Sequence, residues 1–579
     1  FAGFRAKTAA TRHEQFFLFG IHADAPYPRA GLRNPLDGCL PSRKECRRPR
    51  RARRKGRSSQ SVLKESIVST VLGFARRGTL EATAWGRNLL GLYQSVQARI
   101  AAAEMSFAPP RVHAVPKPSK PGQPRKYRAI VEYGDLADRV ILALAAGYLC
   151  AALDPEFRDE SHAFRDPTRG RSPSHHRAIQ ALLDYQKKRS DHALYAADCD
   201  IRSFFDSVGH DVVRESLRGL ERRRAESGAP PLDPAAIRII EAFLASYRFA
   251  ENGVVAPDIV KAYAEAGAEA PNAPLSADGT ASRKRVGIPQ GGALSPILAN
   301  AVLDAADRAV VGTGERDPDL YYARFCDDVL FVHQSFEKCL AAMNRYRCAL
   351  AELDLPAYTP KDVLYGSDYF EAKTKGPYPW GRPSEDRKTM PWVGFVGYQI
   401  RWDGQIRLRK STIDKQIDRL AEVTAAIAAP LKTINRPVLK IGIQEVYLRA
   451  EGRMISLGVG RSDVRSRYPA AAQHCWFDAF PLLEPNYYSL GQMKILDWHR
   501  ERQLSRLRRN LERHSMARGE WQRVHKNRRG AGTELKTPDM KAVAYRSGKP
   551  TSYVGRLQKQ IPLERRLAKA PPAIQGYGR

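Results

Sequence analysis

Between Tyr321 and Val332 two short apolar runs close on an acidic doublet: Tyr-Tyr-Ala-Arg-Phe-Cys, then Asp327 and Asp328, then Val-Leu-Phe-Val. The pattern predicts two strands of a hairpin with the acids at its turn. Most acidic dipeptides are solvated turns, but this one lies between Phe325 and Val329-Leu330-Phe331. Like charges there repel unless a cation sits between them. Oxygen donors without histidine or cysteine point to Mg²⁺ or Mn²⁺ rather than zinc.

Two further segments constrain the chemistry. Leu194 to Asp206 reads Leu-Tyr-Ala-Ala-Asp-Cys-Asp-Ile-Arg-Ser-Phe-Phe-Asp. As a strand it places Asp198 and Asp200 on one face, because side chains alternate with a period of two. Alone, such aspartates are more often caps or solvated charges than metal ligands. Val286 to Asn300 reads Val-Gly-Ile-Pro-Gln-Gly-Gly-Ala-Leu-Ser-Pro-Ile-Leu-Ala-Asn. Gly291 and Gly292 permit close backbone approach to a ligand. Ser295-Pro296 predicts an N-cap followed by proline in the first helical turn.

The order of an aspartate strand, a glycine-rich turn opening a helix, and an aspartate doublet resembles the palm of reverse transcriptases. The likeness is closest to the group II intron and related prokaryotic branch. The usual Tyr-x-Asp-Asp of that family is here Phe325-Cys326-Asp327-Asp328. Lys120 to Arg139 looks like the fingers segment, Ser161 to Arg165 with His176 to Ile179 like the next fingers motif, and Phe395 to Tyr398 like the primer-grip hairpin.

The resemblance implies an RNA-directed DNA polymerase joining dNTPs by two-metal nucleotidyl transfer. Asp200, Asp327 and Asp328, with the Ile201 carbonyl, would hold Mg²⁺, or alternatively Mn²⁺. Arg128 or Arg125 would hold phosphate oxygens, and Gln290 and Gly291 would lie against the incoming nucleotide. Phe205 would exclude a ribose 2′-hydroxyl, Phe204 would face the core, and Lys361 would protonate pyrophosphate. Phe164, Arg165, Ser295, Asn300, Phe395 and Gly397 would line the template–primer. The implied partners are an RNA template, a DNA or RNA primer and dNTPs, with a dedicated noncoding RNA or an intron RNA as further candidates.

The implied fold class is α+β: a right-hand polymerase with fingers and palm, a helical thumb and a helical, basic C-terminal extension. The expected organisation is a basic arm over 1–60, a helical extension over 61–110, fingers and palm over 111–405, helical thumb and following helices over 406–510, and a basic tail over 511–579. Gly228 to Lys284, rich in Pro, Ala and Gly, is expected to hold insertions or loops. After Arg409 an apolar stripe of Ile413, Ile417, Leu420, Val423 and Ile427 predicts an amphipathic helix with Ser411 as N-cap and Asp414 in its first turn. The unfamiliar C-terminal region carries only Cys475 beyond Cys348. It therefore lacks the paired cysteines of the nuclease that follows the thumb in many mobile-intron proteins. An antiphage-defence enzyme is the leading expectation on family analogy, with a nuclease-free intron reverse transcriptase or maturase as the alternative.

Charge agrees with a polyanionic partner: 95 Lys and Arg against 62 Asp and Glu give a formal net charge of +33 over 579 residues. Arg43 to Arg57 holds ten basic residues and one acidic. The longest apolar run, Val140 to Leu153, falls short of the roughly 18 residues of a membrane span, so it is expected to be a core helix and no membrane partner is expected. Eight cysteines without a Cys-x-x-Cys pair fit a reducing cytoplasm. The chain opens on Phe1, and Met105 is its first methionine. That is the pattern expected of a truncated sequence, or of upstream sequence read in frame.

Overall fold

The computed structural model describes residues 71–558 apart from 72–73, 76, 118–124, 167–174, 190–191, 283, 313–316, 361–371, 384–388, 430–442, 461–474 and 518–551. Lys361, the basic arm and most of the basic tail lie outside the described residues. The described chain forms two compact units, the first ending at Val396 and the second beginning at Gly397.

The first unit opens with helix α1 (Ala84–Ala101), capped by the Thr83 side chain. A hairpin follows, β1 (Arg111–Pro116) paired antiparallel with β2 (Tyr127–Glu132). Helix α2 (Leu136–Leu153) begins where the Asp135 side chain accepts from Ala137 N. It is long and apolar enough to cross a membrane by length and composition. Its Val140, Ile141, Leu149 and Leu153 are instead buried within the unit, against α1 and neighbouring helices. The core-helix expectation therefore matches, with the helix starting before the apolar run.

Helix α3 (His175–Lys188) leads into β3 (Leu194–Cys199). The one-turn helix α4 (Phe204–Ser207) and then α5 (His210–Glu226) follow. The stretch from Gly228 to Lys284 contains more regular structure than its composition suggests. It forms α6 (Pro234–Ser246), a short hairpin of β4 (Ala250–Glu251) and β5 (Val254–Val255), and α7 (Pro257–Glu265). Pro234 and Pro257 open these helices rather than break them, since a first-turn N–H needs no helical partner. Helix α7 packs on β1.

Helix α8 (Ser295–Val311) is buried on nearly every side, through Ile297, Leu298, Ala299, Asn300, Ala301, Val302 and Leu303. It is a central helix rather than an amphipathic surface one. Strands β6 (Tyr321–Phe325) and β7 (Asp328–His333) form the expected hairpin. Helix α9 (Phe336–Glu352) and β8 (Lys375–Trp380) complete an antiparallel sheet in the order β6-β7-β3-β8. Val329, Leu330, Phe331 and Val332 are all buried, so both faces of this sheet are covered. Strand β9 (Trp392–Phe395) ends the unit.

The second unit begins with a hairpin of β10 (Tyr398–Arg401) and β11 (Ile406–Leu408). Helices α10 (Lys410–Ala428), α11 (Ile443–Gly458) and α12 (Tyr487–Ala517) then pack together. Leu420 and Val423 meet Met454 and Leu504, while Val446 and Ala450 meet Leu507 and Leu511. The short helix α13 (Tyr553–Gln558) packs on α12. The helix expected after Arg409 is present, but Arg409 rather than Ser411 occupies the cap position, without a side-chain bond.

Candidate active site

The sheet register assembles the carboxylates. Strand β3 pairs with β7 so that Cys199 lies opposite Val329. Asp200, one residue past the end of β3, therefore lies beside Asp328 at the start of β7. Phe325 pairs with Asp328, leaving Cys326 and Asp327 as the hairpin's two-residue turn. Cys326 has φ 60, an unusual backbone for a residue with a side chain. Sequence positions more than a hundred residues apart thus meet at one end of the sheet.

Asp200 is held by its neighbours. Its N–H donates to Thr374 Oγ1 at 3.0 Å, and its carbonyl accepts from Tyr358 N at 3.0 Å. The Lys373 ammonium stands 3.7 Å from Asp200 Oδ2. Burial raises the Asp200 pKa above the usual carboxylate range; Lys373 opposes the shift, whereas Asp327 and Asp198 add to it. Asp198 shares the strand face expected for it, but Lys375 Nζ engages it at 3.0 Å. It is a structural ion pair.

Among the described residues, no three acidic, histidine or cysteine side chains form a complete metal cage. The mutual repulsion at Asp200 is the feature a divalent cation would relieve. Ile201 is buried and bridges to Ala357, so its backbone is fixed beside Asp200.

The glycine-rich turn is clamped from two sides. Ile288 N donates to Phe205 O at 2.8 Å, and Val131 N of strand β2 donates to Gln290 O at 2.9 Å. Gly291 has φ 97, and a Cβ there would lie 3.1 Å from Val131 O. Gln290 Nε2 donates to Asp206 Oδ1 at 3.1 Å. Phe204 is buried and Phe205 half-buried, with their rings edge to face at 5.2 Å. Arg125 and Arg128 are both exposed, beside and on strand β2.

The other template–primer candidates separate into two kinds. Phe164 projects, 39% exposed, from a backbone with φ 54. Arg165 instead is buried, its Nε 2.6 Å from Asp154 Oδ1 and its other nitrogens donating to backbone carbonyls. Ser295 is the first helical residue rather than the cap; its hydroxyl donates to Pro289 O at 2.5 Å. Asn300 Nδ2 donates to Ala163 O at 2.8 Å and its Oδ1 accepts from Arg324. The polar groups of these three are engaged inside the protein. Phe395 is buried at the end of β9, and Gly397, with φ 88, follows Val396 at φ 36.

Three participants carried no role in the sequence reading. Lys373 gave no local signal. Arg324 gave one: it is the charged residue of an otherwise apolar strand. Its guanidinium is fully buried and meets Asp307 Oδ2 at 2.6 Å, with Asn300, Ser161 and the Cys326 carbonyl as further partners. The third is Asp206, whose bond to Gln290 spans 84 residues of sequence.

Residues 115–365 match the family described as reverse transcriptase (RNA-dependent DNA polymerase). The chain carries a reverse transcriptase domain. This reverse transcriptase domain makes the protein an RNA-directed DNA polymerase, a nucleotidyltransferase, of the right-hand α+β fold. No curated protein matches the chain. Among solved structures, it is similar to a telomerase from Candida albicans in complex with a TWJ fragment of telomeric RNA. That match has 13% identity and TM-score 0.33, covering 79% of this chain and 71% of that one. An apo telomerase from Candida tropicalis matches at 10% identity and TM-score 0.34, over 77% and 70% of the two chains.

Proposed function

We propose that this reverse transcriptase domain copies an RNA template into DNA from dNTPs, extending a DNA or RNA primer by two-metal nucleotidyl transfer. The register that sets Asp200 beside the Asp327–Asp328 turn carries the reading. Two divalent ions, Mg²⁺ or Mn²⁺, held by Asp200 and Asp327 with Asp328 and the Ile201 carbonyl, would acidify the primer 3′-hydroxyl and neutralise the leaving pyrophosphate. The chain's own residues do the rest. Arg128 or Arg125 grips phosphate oxygens, Gln290 and Gly291 lie against the nucleotide, and the Phe205 ring excludes a 2′-hydroxyl.

Incorporation of dNTPs on a primed RNA template, with rNTPs and a DNA template as comparisons, tests the activity. Preference for rNTPs would favour an RNA polymerase, and template binding without synthesis would favour a nucleic-acid-binding protein. In the cell we propose antiphage defence, on family analogy alone. Intron RNA beside the coding sequence would support an intron reverse transcriptase or maturase instead.

A further inference from the structure

We infer that Asp206 is a positioning residue for nucleotide binding: its carboxylate holds the Gln290 amide with nitrogen inward, leaving the carbonyl oxygen as the end offered to the nucleotide. This rests on the reading above that Gln290 touches the nucleotide. An ionised carboxylate can only accept hydrogen bonds, so the amide must turn its NH₂ toward Asp206. The observed bond, Nε2 to Oδ1 at 3.1 Å, has that sense.

The surroundings leave the side chain little other freedom. Val131 N holds the Gln290 carbonyl, Ser295 Oγ holds the Pro289 carbonyl, and Ile288 N holds the Phe205 carbonyl. The backbone on both sides of the amide is therefore fixed, and Asp206 fixes the torsions that remain. The same short segment thus joins Phe205, which would check the sugar, to Gln290.

The charged and titratable groups facing Asp206 are few. Lys117, following β1, is the cation that favours its ionised form. Tyr247, after α6, and Tyr263, on α7, are phenols whose ionisation the carboxylate opposes. Burial, opposed by the Gln290 bond and Lys117, pushes the Asp206 pKa up to about 6. Below that pH the carboxyl can donate as well as accept, and it no longer dictates which end of the amide faces it.

The test compares kcat and KM for one dNTP on a primed RNA template, between about pH 5.5 and 8.5. Wild type, Asp206→Asn, Gln290→Ala and the double variant are measured. Gln290→Ala should raise KM by roughly five- to tenfold with kcat little changed, the loss expected for one hydrogen bond. Asp206→Asn, whose amide can donate as well as accept and so no longer dictates the sense of Gln290, should raise it by a smaller factor. Adding Asp206→Asn to Gln290→Ala should add no further rise. Wild-type KM should climb below about pH 6 more steeply than KM of Gln290→Ala, a comparison that cancels titration of the nucleotide and needs no Asp206 variant. Equal effects of Asp206→Asn with and without Gln290 overturn the proposal, as do parallel pH profiles. So does an unchanged KM in Asp206→Asn while Gln290→Ala raises it. An unchanged KM in Gln290→Ala overturns the placement of Gln290 against the nucleotide, and the proposal with it.

Discussion

Arg324 Nη1 donates to the Cys326 carbonyl at 3.0 Å, so a fully buried guanidinium holds the turn that presents Asp327. The same group is paired with Asp307, to which Tyr322 also donates at 2.7 Å. Removing one partner of such a pair strands the other charge in the interior. Arg324→Met should cost about 3–5 kcal/mol in denaturant unfolding, and activity should fall with the loosened turn. A paired Arg324→Met/Asp307→Leu variant should recover most of the stability without the activity. Full recovery of both would show that the turn needs no tether.

Asp200→Asn and Asp327→Asn should abolish synthesis, by about three orders of magnitude or more, because each removes a ligand for ions that stabilise both attacking and leaving oxygens. Folding should survive. The charged form of Asp200 is disfavoured by burial and by two neighbouring carboxylates. Asn should therefore leave the melting temperature at pH 8 equal or higher. A lowered melting temperature would point to a structural role.

Phe205→Val should raise use of rNTPs relative to dNTPs, since the half-buried ring would no longer fill the space an added oxygen needs. Phe204→Ala is the control. Its ring is buried, so its loss should cost about 3–5 kcal/mol in stability without changing sugar choice. The measurement is the ratio of kcat/KM for a matched dNTP and rNTP. A shift in Phe204→Ala instead of Phe205→Val would place the sugar check one residue earlier.

Asp206 also predicts a pH dependence of stability. Its folded pKa, about 6, stands above the ordinary carboxylate value of 3.8. The protonated form is thus favoured by folding, a contribution present below 3.8 and lost as pH rises through 6. Asp206→Asn lacks this loss. The melting temperature of the variant minus that of wild type should increase between about pH 4 and 7. A flat difference would mean that Asp206 is not buried at a cost.

Helix α12 presents Arg502, Arg506 and Arg509 to solvent near Trp498, which is 55% exposed. If the helix grips the nucleic-acid backbone, changing all three to Gln should weaken template–primer binding. It should also flatten the log–log salt dependence by roughly 0.7 to 0.9 for each phosphate that is no longer neutralised. An unchanged slope would place the duplex elsewhere.

The hairpin of β6 and β7, the strand before Asp200 and the helix opened by Ser295-Pro296 were legible because each is local. Apolar alternation, turn residues and proline at a helix start act within a few positions. Composition told only part of Gly228 to Lys284: residues 266–282 carry no helix or strand, as expected, but Pro and Ala open and fill helices α6 and α7. The resemblance placed Arg165, Ser295 and Asn300 at the nucleic acid, whereas packing gives their polar groups interior partners. No local pattern reveals what a side chain will meet across the fold. The same limit hid the tether of Arg324 to the turn, the grip of Lys375 on Asp198 and the bond from Gln290 to Asp206. The sequence by itself determined which carboxylates are present and which strands carry them. Only the tertiary structure decided which charges are neutralised, because that depends on strand register and burial.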